Sequence, residues 1–108
     1  MSLDVYLTCP HCQTTVYEAN ITHNLGGMAG AAGIYEALWR PEEIGAKTAA
    51  EITGILERGL RELKADPDRF KKFNSPNGWG LYKNFVPFVE EYLAACIKHP
   101  TALISVSR

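Results

Sequence analysis

The sequence predicts a small α+β domain, in which an antiparallel sheet packs on three to four helices. Short runs of β-branched and aromatic residues near both ends of the chain are typical of strands. Between them, apolar residues recur at helical spacing over longer segments. Pro and Gly separate these segments, and the 108 residues show no repeat or linker, so residues 1–108 are predicted to form a single domain.

The predicted sheet combines an N-terminal hairpin with a C-terminal strand. Residues 3–8 and 14–21 are predicted strands, and Pro10 ends the first in a turn that contains the sequence CPHC. Residues 101–106 form the third. If the first and last strands pair antiparallel, the end of one lies beside the start of the other. Cysteine-containing segments from both ends of the chain would then meet at one corner of the sheet.

Three of the predicted helices lie between residues 42 and 98. Residues 42–65 have the clearest apolar stripe, with i, i+4 charge pairs on the opposite face. A short helix over 67–73 and a last helix over 79–98 come next. Because Pro87 lies inside the last segment, that helix is expected either to kink or to start near Asn84.

A fourth helix is predicted from residue 25 to residue 40, although four glycines interrupt its apolar stripe. Each glycine in a helix costs about 0.8–1 kcal/mol relative to Ala. Close packing of Gly26 and Gly30 against a neighbour would compensate for this cost, and so would the close approach of a ligand. The sequence leaves both explanations open.

Composition and charge exclude several classes of function. Hydrophobic residues make up 46% and charged residues 21% of the chain, and the net charge is −1, which argues against general nucleic-acid or membrane-surface binding. No apolar run approaches the roughly 20 residues that span a bilayer. The N-terminus lacks signal-peptide character, and the three cysteines are an odd number, so we expect a cytoplasmic protein with reduced thiols.

The CPHC sequence has the spacing found in disulfide oxidoreductases. Such catalysts need a helix directly after the first cysteine, because the helix N-terminus lowers the pKa of that thiol. Here Thr14, Thr15, Val16 and Tyr17 follow, and these residues favour a strand. The sequence therefore argues against redox catalysis.

A zinc site is the alternative interpretation of these cysteines. Cys96 and His99 form a second pair, and residues three apart share one face of a helix. The predicted strand pairing would join this pair to Cys9 and Cys12 in a Cys3His structural Zn²⁺ site. Independent thiols, with Cys96 as an ordinary core residue, remain the competing interpretation, and His11 is a rival ligand.

Several polar and aromatic residues do not fit the structural periodicity and are candidates for ligand binding: Asn20, His23, Asn24, Trp39, Arg40, Asn77 and Trp79. Trp and Arg can stack on a planar or anionic ligand, and the loop sequence NGWG permits unusual backbone geometry. Each residue also has a structural explanation. The asparagines can cap or turn the chain, Trp39 can be core, Arg40 can end a helix in solvent, and Trp79 can anchor a turn.

Three stretches resemble a family of small uncharacterised proteins of tailed bacteriophages and prophages. They are NITHNLGGMAGAAGIYEALWRPEEIG at 20–45, NSPNGWGLY at 74–82, and the C-terminal ACIKHP with ISVSR. The resemblance covers most of the chain and implies expression in an infected bacterial cytoplasm. It implies no specific activity.

We therefore expect a phage-type accessory protein that acts by binding, either to a nucleotide-like small molecule or to a host or defence protein. Two alternatives stay open. One is an enzyme with His23 as general base, for which the sequence offers no second catalytic group. The other is a purely structural or interaction protein, in which every unusual residue serves packing.

Overall fold

The two ends of the chain meet in one antiparallel sheet. The computed structural model describes residues 2–108 and contains three strands: β1, Ser2–Thr8; β2, Thr15–Thr22; and β3, Leu103–Ser107. Their order is β2-β1-β3, so the N-terminal strand is central and pairs antiparallel with both others. The predicted α+β fold and the predicted pairing of the first and last strands are confirmed.

The alternation of side chains along β1 explains which face of the sheet is covered. Leu3, Val5 and Leu7 have no exposed surface, whereas the residues between them are partly exposed. Full burial of each such side chain contributes about 1.5–3 kcal/mol. This face of the sheet packs on the helices and fixes the register of the hairpin, because a shift by one residue would expose all three side chains.

Five α-helices lie between the strands of the described chain. They are α1, Gly26–Ala31; α2, Tyr35–Trp39; α3, Ala50–Ala65; α4, Pro67–Lys71; and α5, Tyr82–Lys98. Short 3-10 turns occupy His23–Leu25 and Pro41–Ile44. α5 lies against both α3 and β2, so it links the helical layer to the sheet.

The single helix predicted over residues 25–40 is two helices. Gly33 has a φ of 77°, a left-handed conformation that ends α1 and turns the chain into α2. Close packing, one of the two explanations left open for the glycines, is not observed, because a side chain at Gly30 would meet no atom within 4 Å and one at Gly26 would make only an ordinary contact with Tyr35. The glycines of α1 thus remain without a packing explanation.

Two further helix boundaries differ from the prediction. The helix expected over residues 42–65 begins at Ala50, because Gly45 has a φ of 71° and separates the preceding 3-10 turn from it. The last helix begins at Tyr82 rather than residue 79, and it continues through the exposed Pro87 to Lys98. The intervening segment 74–81 is a loop.

No helix within residues 2–108 combines the length and the apolar character that a bilayer crossing needs.

Candidate functional site

A cavity of about 940 Å³ opens where the end of β2 meets the loop before α5. This volume is in the range of small-molecule pockets. Five of the seven predicted binding residues line it: Asn20, His23, Asn24, Asn77 and Trp79. The remaining lining residues are Ser2, Ile21, Thr22, Leu25, Gly78, Gly80 and Asn84. The structure therefore brings together residues that are distant in the sequence.

The loop is held against the end of β2 by a close backbone approach at Gly80. Its φ is 106°, and a Cβ atom there would lie 2.9 Å from Cβ of Asn24 and 3.3 Å from Cγ2 of Thr22. Only glycine combines that conformation with that contact. The Asn24 side-chain amide also donates to the carbonyl oxygen of Trp79 at 2.8 Å. These contacts close one wall of the cavity.

Trp79 places a large aromatic surface at the cavity. Trp79 is 69% exposed, the largest exposure among the large hydrophobic residues described. Trp39, by contrast, is buried and stacks on Tyr35 with ring centroids 5.3 Å apart. An exposed tryptophan ring beside polar groups can stack on a flat ligand.

His23 is oriented by the buried Trp39. The indole Nε1–H donates to His23 Nδ1 at 2.8 Å, and this hydrogen bond is partly buried. An indole nitrogen can only donate, so Nδ1 must accept and the proton of the neutral imidazole resides on Nε2. Trp39 therefore acts on the cavity through His23 and does not line it itself.

Asn20 is fixed by its neighbours in the hairpin. It lies opposite Asp4 across β1 and β2. Its side-chain nitrogen donates to Asp4 Oδ1 at 2.6 Å and to Ser2 Oγ at 2.8 Å. Both amide protons are thus used, and the amide oxygen is the group that Asn20 has left for a ligand.

Asn77 is held by its amide oxygen, whereas Asn20 is held by its amide nitrogen. Its Oδ1 accepts from the backbone N–H of Trp79 at 2.9 Å and from the Ser75 hydroxyl at 2.6 Å. These two bonds use both lone pairs of the oxygen and stabilise the turn at Gly78, whose φ is 80°. The NH2 group of Asn77 has no protein partner among the described residues and is left for a ligand.

Arg40 lies outside the cavity. Its guanidinium pairs with Glu43 at 3.2 Å, and Arg40 is not among the lining residues. The reason is local, since the chain leaves α2 at Arg40 and enters the 3-10 turn that contains Glu43. Of the described residues that line the cavity, none carries a charged side chain.

Sequence reasoning missed Ser2, Thr22 and Asn84 as lining residues. Ser2 pairs with Thr22 at the open end of the hairpin. A sequence prediction that included the hairpin register would have placed these two residues side by side. Asn84 lies in the first turn of α5, directly after the NGWG loop. Its position depends on where α5 begins, which the sequence left between two possibilities.

The CPHC segment forms a tight turn after β1. Cys9 N–H donates to the Thr14 carbonyl at 2.8 Å, Gln13 N–H donates to the Cys9 carbonyl at 3.0 Å, and Cys12 N–H points to Cys9 Sγ at 3.5 Å. Gln13 has a φ of 62°, which few residues other than glycine adopt. Hydrogen bonds from Thr14 and then from the Cys9 thiol lower the pKa of Cys12 to about 7.

Cys96 and His99 lie at the C-terminal end of α5. Cys96 is fully buried, and burial raises the pKa of its thiol to about 12. His99 is partly exposed at the end of α5. Across residues 2–108, the structure has no group of three or more His, Cys, Asp or Glu side chains arranged to hold a metal ion. The four-ligand zinc site therefore stays a prediction.

No protein-family model, no curated protein and no solved structure matches this chain.

Proposed function

We propose that the protein is a binding module whose cavity takes a nucleotide-like small molecule. The observation that carries this proposal is the convergence of Asn20, His23, Asn24, Asn77 and Trp79 on one cavity. An exposed aromatic ring beside several oriented amides is the arrangement that stacks on a flat ligand and reads its polar edge. The phage-type setting rests on the family resemblance, and the cytoplasmic location rests on that resemblance together with the N-terminal sequence and the cysteine count.

Binding is preferred to catalysis because of what surrounds His23. Its Nδ1 is occupied by the indole N–H of Trp39, so no carboxylate orients the imidazole as a general base. The described lining residues include no Asp, Glu, Lys or Cys side chain to serve as a second catalytic group. A module that binds and releases its ligand unchanged needs neither.

A thermal-shift screen with nucleosides, nucleotides and cyclic nucleotides tests the binding proposal. A ligand at 100 times its Kd stabilises the folded state by about 2.7 kcal/mol, enough to raise the melting temperature by several degrees. Trp79→Ala should abolish that shift while leaving the free protein folded, because this side chain is mostly exposed. Ile97→Ala, at an exposed apolar position outside the cavity, is the matched control.

A host or defence protein is the second candidate partner. An exposed tryptophan is the residue type that most often anchors a protein interface, and Trp79 meets that description. If no small molecule shifts the melting temperature at millimolar concentration, the small-molecule branch is wrong. Loss of a host-protein complex on Trp79→Ala, with the complex retained by Ile97→Ala, would then support this second candidate.

We also propose a structural Zn²⁺ ion, bound by Cys9 and Cys12 together with Cys96 and His99. The turn geometry supports the first pair, because a backbone N–H directed at a thiolate orients it for a metal. The second pair requires Cys96 to leave its buried position. A structural site of this kind contributes on the order of 10 kcal/mol of apparent binding energy to folding, which would offset the cost of that change.

Metal analysis of protein purified without a histidine tag tests the zinc proposal. We expect one equivalent of zinc, lost in both Cys12→Ser and Cys96→Ser. Retention of zinc by Cys96→Ser would reject the second pair and leave the turn as half of a site completed by other ligands. Less than about a tenth of an equivalent in the unmodified protein, with melting unchanged by chelator, would reject the metal altogether.

A further inference from the structure

We infer that the cavity recognises the hydrogen-bonding edge of an uncharged planar base, and that it does not recognise a phosphate group. The inference rests on the proposed binding function and names the part of the ligand that is read. It starts from the side-chain orientations, which are fixed before any ligand arrives.

Four lining side chains each have a partner that can only donate or only accept. The Asp4 carboxylate accepts from Asn20, and the Trp79 carbonyl accepts from Asn24. The Trp79 backbone N–H donates to Asn77. The Trp39 indole N–H donates to His23 in the same one-way manner. Such partners determine which atom of each amide or ring is already hydrogen-bonded within the protein.

The groups that remain on these four side chains form a mixed pattern of acceptors and donors. The amide oxygens of Asn20 and Asn24 are free to accept, because their nitrogens are the bonded atoms. The NH2 group of Asn77 and the Nε2–H of His23 are free to donate. A nucleobase edge carries ring or exocyclic N–H donors next to carbonyl or ring-nitrogen acceptors, and this matches both halves of the pattern.

Charge argues against the phosphate. The described lining residues include no Lys or Arg, and the nearest sequence candidate, Arg40, is paired with Glu43. Phosphate recognition ordinarily uses a guanidinium, an ammonium or a series of backbone N–H groups at a helix start. Here the backbone N–H of Trp79 is bonded to Asn77, and that of Asn24 is directed at Thr22 Oγ1.

Calorimetric titration with matched ligands tests the inference. The probes are the four ribonucleosides, their 5′-monophosphates, inorganic phosphate and ribose. We expect at least one nucleoside to bind as tightly as its monophosphate, within about threefold, because the phosphate adds no contact. Affinity should not fall with added salt, and neither phosphate nor ribose should compete.

The possible outcomes separate this inference from the proposed function. A monophosphate that binds more than about tenfold tighter than its nucleoside, with a salt-dependent affinity, would overturn the inference and leave the binding module intact. Binding of ribose alone would do the same. If no nucleoside or nucleotide binds, the inference and the small-molecule function both fail.

A conservative variant checks the donor at the loop. Asn77→Asp keeps the oxygen that accepts from the Trp79 N–H but removes the NH2 donor. We expect about a tenfold loss for the nucleoside. The nucleotide should lose at least as much, because the same base edge is read in both and the new carboxylate repels the phosphate. An unchanged affinity for the nucleoside would overturn the inference, because the NH2 group of Asn77 would then not read the base. Asn74→Asp is the control, since Asn74 also accepts a backbone N–H, that of Tyr82, but lies outside the cavity.

Discussion

At the scale of single residues, the polar groups of the cavity are held in place before a ligand binds. Asn20 is tied to the hairpin, Asn77 to its own loop, and His23 to the core through Trp39. A rotamer that is already fixed loses less conformational entropy when it makes a contact. The sequence could mark these residues as unusual, but it could not say which atom of each would be free.

The bond between Trp39 and His23 gives a prediction for the imidazole itself. In the neutral imidazole of His23, two-bond 1H–15N spectra should show the proton on Nε2, because Nδ1 accepts from the indole N–H of Trp39. Trp39→Phe removes that donor, so the fraction with the proton on Nδ1 should rise. The lost hydrogen bond and packing should lower stability by about 1–3 kcal/mol. Trp79→Phe, at the exposed ring, should change neither quantity, and a wild-type signal from Nδ1–H would contradict the bond.

At the scale of elements, the strands were easier to predict than the helices. Strand patterning repeats every second residue and is visible over five to eight positions, as in the fully buried Leu3, Val5 and Leu7 of β1. Helix ends depend on single backbone conformations. The positive φ of Gly33 and of Gly45 splits or shortens predicted helices, and a glycine in a sequence permits such a conformation without requiring it.

The contact between α3 and the residue before α2 depends on one glycine. A Cβ atom at Gly59 would lie 2.2 Å from Cγ2 of Ile34, which is fully buried. Gly59→Ala should therefore lower the free energy of unfolding by about 1–3 kcal/mol through overpacking. Gly54→Ala is the control on the same helix, where a side chain meets nothing within 4 Å. That change should raise stability by up to about 1 kcal/mol. Equal effects in urea unfolding would contradict the close packing.

The start of α3 gives a prediction about pH. Glu51 accepts hydrogen bonds from the Thr48 hydroxyl and from the backbone N–H groups of Lys47 and Thr48, and these lower the pKa of its carboxyl below the usual 4.5. Because the folded pKa is the lower one, this stabilisation is complete above about pH 5 and is lost as pH falls through the folded pKa. Glu51→Gln should thus destabilise the protein at neutral pH and progressively less in acid. Urea unfolding of the two proteins between about pH 3 and pH 7 measures this difference, and a difference that stays constant over that range would contradict the prediction.

At the scale of the whole molecule, the pairing of the two chain ends could be predicted from the sequence. The packing of α5, which carries Cys96, against that sheet could not. β1 and β3 pair as expected, from Asp4 with Ser107 to Thr8 with Leu103. The rotation of α5 about its axis decides where Cys96 points. Tyr92 on the same helix stacks on Tyr17 of β2 with ring centroids 5.9 Å apart, and this contact turns Cys96 into the core. Helical spacing in the sequence places Cys96 on the same apolar face as Val89 and Leu93, but it does not say which element that face packs against.

The cavity was more predictable because most of its polar lining residues stand outside the apolar periodicity of the sequence. Most of them follow β2 or lie in the NGWG loop, outside any apolar stripe. Arg40 was grouped with them because it stands next to Trp39 in sequence, but its side chain turns toward Glu43 and does not line the cavity. Adjacent residues at a helix end point in different directions, so proximity in sequence is a poor guide to a shared site.

The sheet and the cavity should differ in their resistance to opening. β1 is bonded on both edges, and its core-facing residues have no exposed surface. Its amides should exchange hydrogen only through global unfolding. Residues 75–80 are mostly exposed and are bonded chiefly to one another, so their amides should exchange through local opening, at least about 100-fold faster. A bound nucleoside should slow exchange in this loop and leave β1 unchanged. Exchange in the loop as slow as in β1 without ligand would mean that the wall of the cavity is part of the core and that ligand entry must use another route.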